Sequence, residues 1–85
     1  MLDKDIFRKK IEELAISYPN WKLDITDKKI IKTWYKRFEH FDDKDFIQAV
    51  DSYINNERFN PTIAGIKEYI KKNNKDNLKG VTFAN

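Results

Sequence analysis

Cysteine is absent from the 85-residue sequence, and glycine and proline occur only twice each. Without cysteine, neither disulfides nor thiolate metal sites can hold the fold, so apolar side chains must do it. The scarcity of glycine and proline argues against hairpin turns and glycine-rich phosphate loops, which favours helices. No apolar run approaches the ~20 residues of a membrane span, and Asp3 and Asp5 stand where a signal peptide would be apolar. The sequence therefore predicts a soluble cytoplasmic protein with no membrane partner.

The usual components of a catalytic site are also missing. The chain has one histidine, no cysteine nucleophile, no Walker-type loop and no closely spaced His/Glu set for a metal. His40 falls at the end of a predicted helix, where an imidazole suits the helix dipole without any catalytic role. Asp42, Asp43 and Asp45 lack the central Gly and distal Glu of a calcium loop, and helix capping explains them better. We predict no enzymatic activity and no catalytic, cofactor-binding or metal-binding residue.

Aromatic residues make up 14% of the sequence, and apolar residues recur at spacings of three and four in four segments. Asn60 is predicted to cap the fourth segment, with Pro61 at its first helical position. The four segments predict helices from Asp3 to about Ile16, from Thr26 or Asp27 to about His40, from Asp42 or Asp43 to about Ile54, and from Pro61 to about Lys72.

The expected fold is therefore all-α, a small four-helix bundle over residues 1–72 with a short flexible tail over residues 73–85. The tail is predicted because this segment is polar and its apolar residues lack helical spacing. Trp34, Phe38 and Phe46 stand at helical spacing and are predicted to form the core, since a small domain without cysteine must bury such rings. Trp21, in a connector, is expected to pack under the neighbouring helices.

Four apolar residues have uncertain environments from the sequence alone. Tyr35 and Tyr69 lie at the margins of their apolar stripes, so each is either a core residue or a half-exposed interface anchor. Val81 and Phe83 lie in the predicted tail and bury nothing locally, which favours partner binding over crystal ordering or chance. All four are therefore candidate contacts for a partner.

Charge is distributed unevenly between the second and third predicted helices. Residues 27–39 contain five basic and two acidic residues, whereas residues 42–57 contain five acidic residues and one basic residue. The domain should therefore have a basic side and an acidic side. These sides are either docking surfaces for a charged protein partner or ordinary solvated helix faces. The residues predicted to bind a partner are Lys28, Lys32, Tyr35, Lys36, Tyr69, Val81 and Phe83.

A small helical DNA-binding regulator is the alternative from another functional class. Lys28, Lys32 and Lys36 would then contact phosphates. The second helix shows mostly lysines, however, which position a duplex without discriminating between bases, and the acidic third helix would repel it. The net charge of +3 is also too small to identify nucleic acid as the partner. The sequence therefore argues against nucleic acid.

Residues in the last three predicted helices form a pattern shared with a known family. They are Thr33, Trp34, Ala49, Val50, Tyr53, Ile54, Phe59, Pro61, Thr62, Ile63, Ala64 and Ile66. Over about Asp5 to Ile70, the chain resembles the helical N-terminal domain of small bacteriophage proteins that load or inhibit replicative DNA helicases.

The resemblance implies a non-catalytic protein in the bacterial host cytoplasm. It would bind the replicative helicase, or the AAA+ ATPase that loads it, at replication initiation. In that family, a disordered C-terminal segment follows the compact helical domain and engages the helicase. Because the segment after Ile70 is short here, the expectation is an inhibitor rather than a loader. A phage protein aimed at an unrelated host factor, such as a nuclease, stays open, as does homodimer formation through an apolar stripe.

Overall fold

Four helices joined by short connectors make up the computed structural model, which describes the backbone of residues 1–83 and the side chains of residues 1–73. In chain order they are α1 (Lys4–Ser17), α2 (Lys28–Phe38), α3 (Asp43–Asn56) and α4 (Ile63–Phe83). The described backbone contains no strand, and none of its helices is long and apolar enough to cross a membrane. The predicted all-α four-helix architecture is confirmed.

Aspartates begin the first two helices, as predicted. Asp3 Oδ2 accepts hydrogen bonds from the backbone N–H groups of Asp5 and Ile6, at 3.1 and 3.0 Å. Asp27 Oδ1 accepts from the N–H of Lys29 at 2.9 Å. These carboxylates satisfy amides that have no partner within their own helix.

The start of α4 differs from the prediction that Asn60 caps it and Pro61 is its first residue. The helix begins at Ile63, and Thr62 Oγ1 accepts the backbone N–H of Gly65 at 2.9 Å. The Asn60 carbonyl instead accepts a hydrogen bond from the Tyr53 hydroxyl at 3.1 Å. The tertiary contact with Tyr53 holds this segment outside the helix, so the cap lies two residues later than predicted.

The C-terminal part of α4 overlaps the predicted tail. The backbone of α4 continues to Phe83, whereas the predicted helix ended near Lys72. Side chains from residue 74 onward lie outside the described part of the chain. The division into a helical domain (1–72) and a flexible tail (73–85) therefore stays a prediction.

Aromatic rings from three helices form the centre of the core. Phe46 of α3 lies between Phe7 of α1 and Phe38 of α2, with ring centroids 5.5 and 5.1 Å away. Trp34 packs beside Phe38, and Trp21 of the connector meets Trp34 edge to face at 5.6 Å. The predicted burial of Trp34, Phe38 and Phe46 is confirmed, and Trp21 is half-buried against them, as expected for a packed connector.

α3 is packed on both sides, by α1 and by α4. Lys10 of α1 places its Nζ 2.8 Å from Asp51 Oδ1 of α3. On the other side, Ile66 and Ile70 of α4 are buried. A Cβ at Gly65 would lie 3.0 Å from the ring of Tyr53, so glycine allows the first turn of α4 to approach α3 closely.

The N-terminal residues connect the start of α1 to the junction between α2 and α3. The Leu2 N–H donates to the Glu39 carbonyl at 2.9 Å, and the Leu2 carbonyl accepts from the Tyr35 hydroxyl at 2.6 Å. The Asp3 N–H donates to Asp43 Oδ1 at 2.7 Å. These hydrogen bonds fix the start of α1 beside the end of α2, and thereby place the outer faces of the two helices next to each other.

Trp34→Ala is expected to lower the free energy of unfolding by about 3 to 5 kcal/mol, because the indole is 7% exposed and its removal leaves a cavity beside Phe38. Urea denaturation followed by circular dichroism measures the change. Ile16→Ala is the control, with an expected change within about 0.5 kcal/mol, since Ile16 is 80% exposed. Equal losses in the two variants would contradict the placement of Trp34 in the core.

Thr62→Ala is expected to cost about 1 kcal/mol of stability, because the N–H of Gly65 loses its side-chain acceptor. Asn60→Ala should cost less, since no cap hydrogen bond involves the Asn60 side chain in the described structure. The same denaturation experiment compares the two variants. A larger loss in Asn60→Ala would restore Asn60 as the cap of α4.

Candidate protein-binding groove

A groove of about 650 Å³ lies between α1 and α2 and is open to solvent. α1 supplies one wall through Lys4 and Arg8, and α2 supplies the other through Lys28, Lys32 and Lys36. The three lysines of α2 are spaced four residues apart and therefore share one face of the helix. The groove thus has cations on both walls.

Two acidic residues also line the groove, Glu12 on α1 and Glu39 just after α2. They leave the five cations in excess. Both ion pairs found in the described part of the chain involve Lys10, which lies outside the groove. α2 itself contains no acidic residue. The positive charge of the groove is therefore not neutralised by neighbouring carboxylates within the fold.

The floor of the groove is apolar. Ile11 of α1 is buried, and Ile25 of the connector and Ile31 of α2 are half-buried. Tyr35 completes the floor, with its ring edge-to-face on Phe7 at a centroid distance of 5.3 Å. An apolar floor with a cationic rim offers both hydrophobic contact and charge attraction to the same ligand.

Tyr35 joins the groove to the core. Its hydroxyl donates to the Leu2 carbonyl, so the side chain's polar atom is already satisfied and its ring remains for apolar contact. The Nζ of Lys4 lies 5.9 Å from the centroid of that ring, within reach of a cation–π interaction. The sequence left Tyr35 as either a core residue or an interface anchor, and the structure shows a half-buried residue that touches both environments.

Four of the seven residues predicted to bind a partner line this single groove: Lys28, Lys32, Tyr35 and Lys36. Tyr69 lies elsewhere, on α4. The side chains of Val81 and Phe83 lie outside the described residues. Partner binding by each of the seven stays a prediction.

The residues of α1 that line the groove were not among the predicted contacts. Lys4, Arg8 and Glu12 are spaced four apart, as are the lysines of α2, so each set can be recognised as one helix face. No local pattern indicates that the two faces meet. That proximity depends on the tertiary contacts of Leu2 and Tyr35.

Tyr69 belongs to a hydrogen-bonded cluster at the C-terminal end of α3. Its hydroxyl donates to Glu57 Oε2, and its ring meets Tyr53 edge to face at a centroid distance of 5.8 Å. The hydrogen bond to the Glu57 carboxylate, with smaller contributions from burial and nearby charge, raises the pKa of Tyr69 from 10.0 to about 12. Tyr69 therefore has a structural role between α3 and α4.

Metal chemistry finds no support in the described residues, where no group of three His, Cys, Asp or Glu side chains could hold an ion. Asp43, one of the acidic residues before and within the first turn of α3, accepts a backbone hydrogen bond from Asp3. Asp42 is the N-cap residue of α3, although its side chain makes no capping hydrogen bond. The groove, in turn, combines charge with apolar surface, an arrangement suited to binding.

Residues 3–67 match the family model for the N-terminal domain of a phage helicase loader/inhibitor. The match covers more than half of the chain, including α1, α2, α3 and the first turn of α4, and therefore both walls of the groove. The chain belongs to this family. The resemblance seen in the sequence is confirmed.

Membership of the loader/inhibitor family makes the chain a phage protein related to helicase loaders. The family is typically non-catalytic and is connected with helicase interaction. No curated protein and no solved structure matches the chain.

Glu57→Gln is expected to bring the pKa of Tyr69 down toward 10, because an amide does not resist formation of a neighbouring phenolate as a carboxylate does. NMR titration of ¹³C-labelled tyrosine rings measures the pKa. Glu68→Gln, an exposed change on the same helix, is the control. Identical titration of Tyr69 in the two variants would contradict the assigned hydrogen bond.

The same shift sets a pH dependence for stability. The pKa of Tyr69 is higher in the folded state than the ~10 of an unfolded chain, so folding favours the protonated hydroxyl. Its contribution is fully present below about pH 10 and is lost as the pH rises through about 12. Glu57→Gln should flatten this part of the stability profile.

Proposed function

We propose that this member of the loader/inhibitor family binds the replicative DNA helicase of the bacterial host, or the AAA+ ATPase that loads it. It thereby blocks or modulates helicase loading at replication initiation, in the host cytoplasm. The observation that carries the proposal is the family match over residues 3–67, which includes every residue that lines the groove.

The groove between α1 and α2 is the proposed contact surface. Lys28, Lys32 and Lys36 supply a row of charges that attracts an acidic surface and orients it during encounter. Tyr35 supplies a ring whose hydroxyl is already paired, so covering it leaves no polar atom of that side chain without a partner. Charge and apolar contact would thus act on the same partner surface.

The size of the chain is sufficient for such an interface. A standard protein interface buries ~800 Å² on each partner. The accessible surface of the chain is 6292 Å², so one groove with its two rims can supply the required area. Aromatic residues at the centre of an interface commonly contribute a large part of the binding energy, which suits the position of Tyr35.

The proposed mechanism is steric and requires no reaction chemistry. A small rigid domain seated on an ATPase domain occupies surface that the ring assembly or its loader would otherwise use. Rigidity favours such a role because ordering the domain adds little to the cost of binding. Phe7 and Phe46 of the core fix the wall formed by α1, and Phe38 fixes α2.

The rival function is that of a small DNA-binding regulator, favoured by the five cations of the groove. Glu12 and Glu39 lie among those cations, however, and would face the phosphates of a bound duplex. The isoleucine floor offers nothing to a sugar–phosphate backbone. A protein surface fits both the charged and the apolar parts of the groove, so we favour a protein partner.

Binding to the purified host helicase and to the purified loader ATPase tests the proposal. The full chain is expected to form a stable complex with one of them, seen by size-exclusion chromatography and calorimetry. Lys28→Glu/Lys32→Glu should weaken that complex at least about tenfold, equivalent to about 1.4 kcal/mol. Lys44→Glu/Lys71→Glu is the control of equal charge change, since both residues are exposed and outside the groove.

A helicase-loading assay supplies the functional readout. Added protein should reduce the amount of helicase assembled on DNA, and Lys28→Glu/Lys32→Glu should restore it. Absence of a complex with either partner, together with duplex DNA binding that is strong at physiological salt and declines steeply with added salt, would support the regulator instead. Light scattering at several concentrations determines whether the active form is a homodimer.

A further inference from the structure

We propose that the groove between α1 and α2 receives an acidic amphipathic helix of the partner protein. This inference rests on the proposed function, because it names the kind of segment that the partner would insert. It is carried by three properties of the groove: its length, its apolar floor and its uncompensated positive rim.

The length of the groove suits a short helix. α2 has 11 residues and is therefore about 16 Å long, and Lys28 and Lys36 mark positions about 12 Å apart along it. Three turns of a partner helix span about the same length as α2. α1 forms the opposite wall through Lys4 and Arg8, so a helix lying between them would be contacted from two sides.

The floor of the groove suits the apolar face of such a helix. Ile25 and Ile31 are half-buried, so part of each side chain is available for contact. The ring of Tyr35 lies beside them with its hydroxyl bound to the Leu2 carbonyl. A helix that docks through residues at spacings of three and four places a continuous apolar stripe on a floor of this kind.

The rim determines the charge of the helix. Lys28, Lys32 and Lys36 repel one another at spacings of four residues, and α2 contains no acidic residue to offset that repulsion. Lys4 and Arg8 add positive charge from the opposite wall. None of the five forms an ion pair within the described residues. A helix with carboxylates on both sides of its apolar stripe would neutralise both walls at once.

The test uses a synthetic acidic peptide of about 16 residues, long enough to form helix on binding. Leucines occur every three or four residues, and glutamates and alanines fill the remaining positions. Fluorescence anisotropy measures its affinity for the full-length chain, and amide chemical-shift changes locate the site. The expected shifts lie at Arg8, Ile25, Ile31, Lys32 and Tyr35, and a peptide with lysine in place of every glutamate is expected not to bind.

Two matched variants separate charge from fold. Lys28→Glu/Lys32→Glu should weaken peptide binding at least about tenfold, while Lys44→Glu/Lys71→Glu, with the same change in net charge, should alter it by less than about twofold. Ile31→Ser should also weaken binding, because it removes apolar floor while every charge remains. Circular dichroism checks that each variant keeps its helices.

Several outcomes would overturn the inference. These are no binding at millimolar peptide, equal affinity for the glutamate and lysine peptides, or chemical-shift changes confined to residues outside the groove. Displacement of the bound peptide by duplex DNA at physiological salt would assign the cations to phosphate instead. A complex with helicase or loader that persists when the peptide fails would remove this inference and leave the proposed function intact, whereas peptide binding without such a complex would do the reverse.

Discussion

The contact of Phe46 with Phe7 and Phe38 is the interaction on which the rest of the structure depends. Each ring comes from a different helix, and each is 2% exposed or less. With no cysteine to cross-link the chain, such burial must supply most of the stability, at roughly 1.5–3 kcal/mol for each large apolar side chain. The three rings therefore fix α1, α2 and α3 relative to one another.

The groove follows from this arrangement through Tyr35. Its ring packs on Phe7, the α1 member of the central cluster, and its hydroxyl binds the Leu2 carbonyl just before α1. The same residue therefore holds α2 beside α1 and forms part of the floor between them. The sequence presented core and interface as alternatives for Tyr35. Because a tyrosine has an apolar ring and a polar end, it contributes to the core and to the groove together.

The sequence predicted most of the fold because helix periodicity and capping are local signals. The buried positions of Trp34 and Phe46 and the cap at Asp3 required only residues close in the chain. The start of α4 was wrong because the Tyr53 hydroxyl binds carbonyls of the preceding loop, a tertiary contact. For the same reason, charge pattern predicted the lysines of α2, whereas the opposing wall at Arg8 required knowledge of how the helices pack.

The separation between aromatic core and charged surface explains how this small domain can carry an unfavourable row of lysines. Lys28, Lys32 and Lys36 repel one another by roughly 0.2–0.5 kcal/mol for each pair four residues apart. That cost is small beside the free energy gained by burying the rings of Phe38 and Trp34 on the same helix. Since the rings hold α2 in place, its outer face need not contribute to stability. Its charges are then free to be arranged for a partner, at a cost that an acidic ligand would reverse.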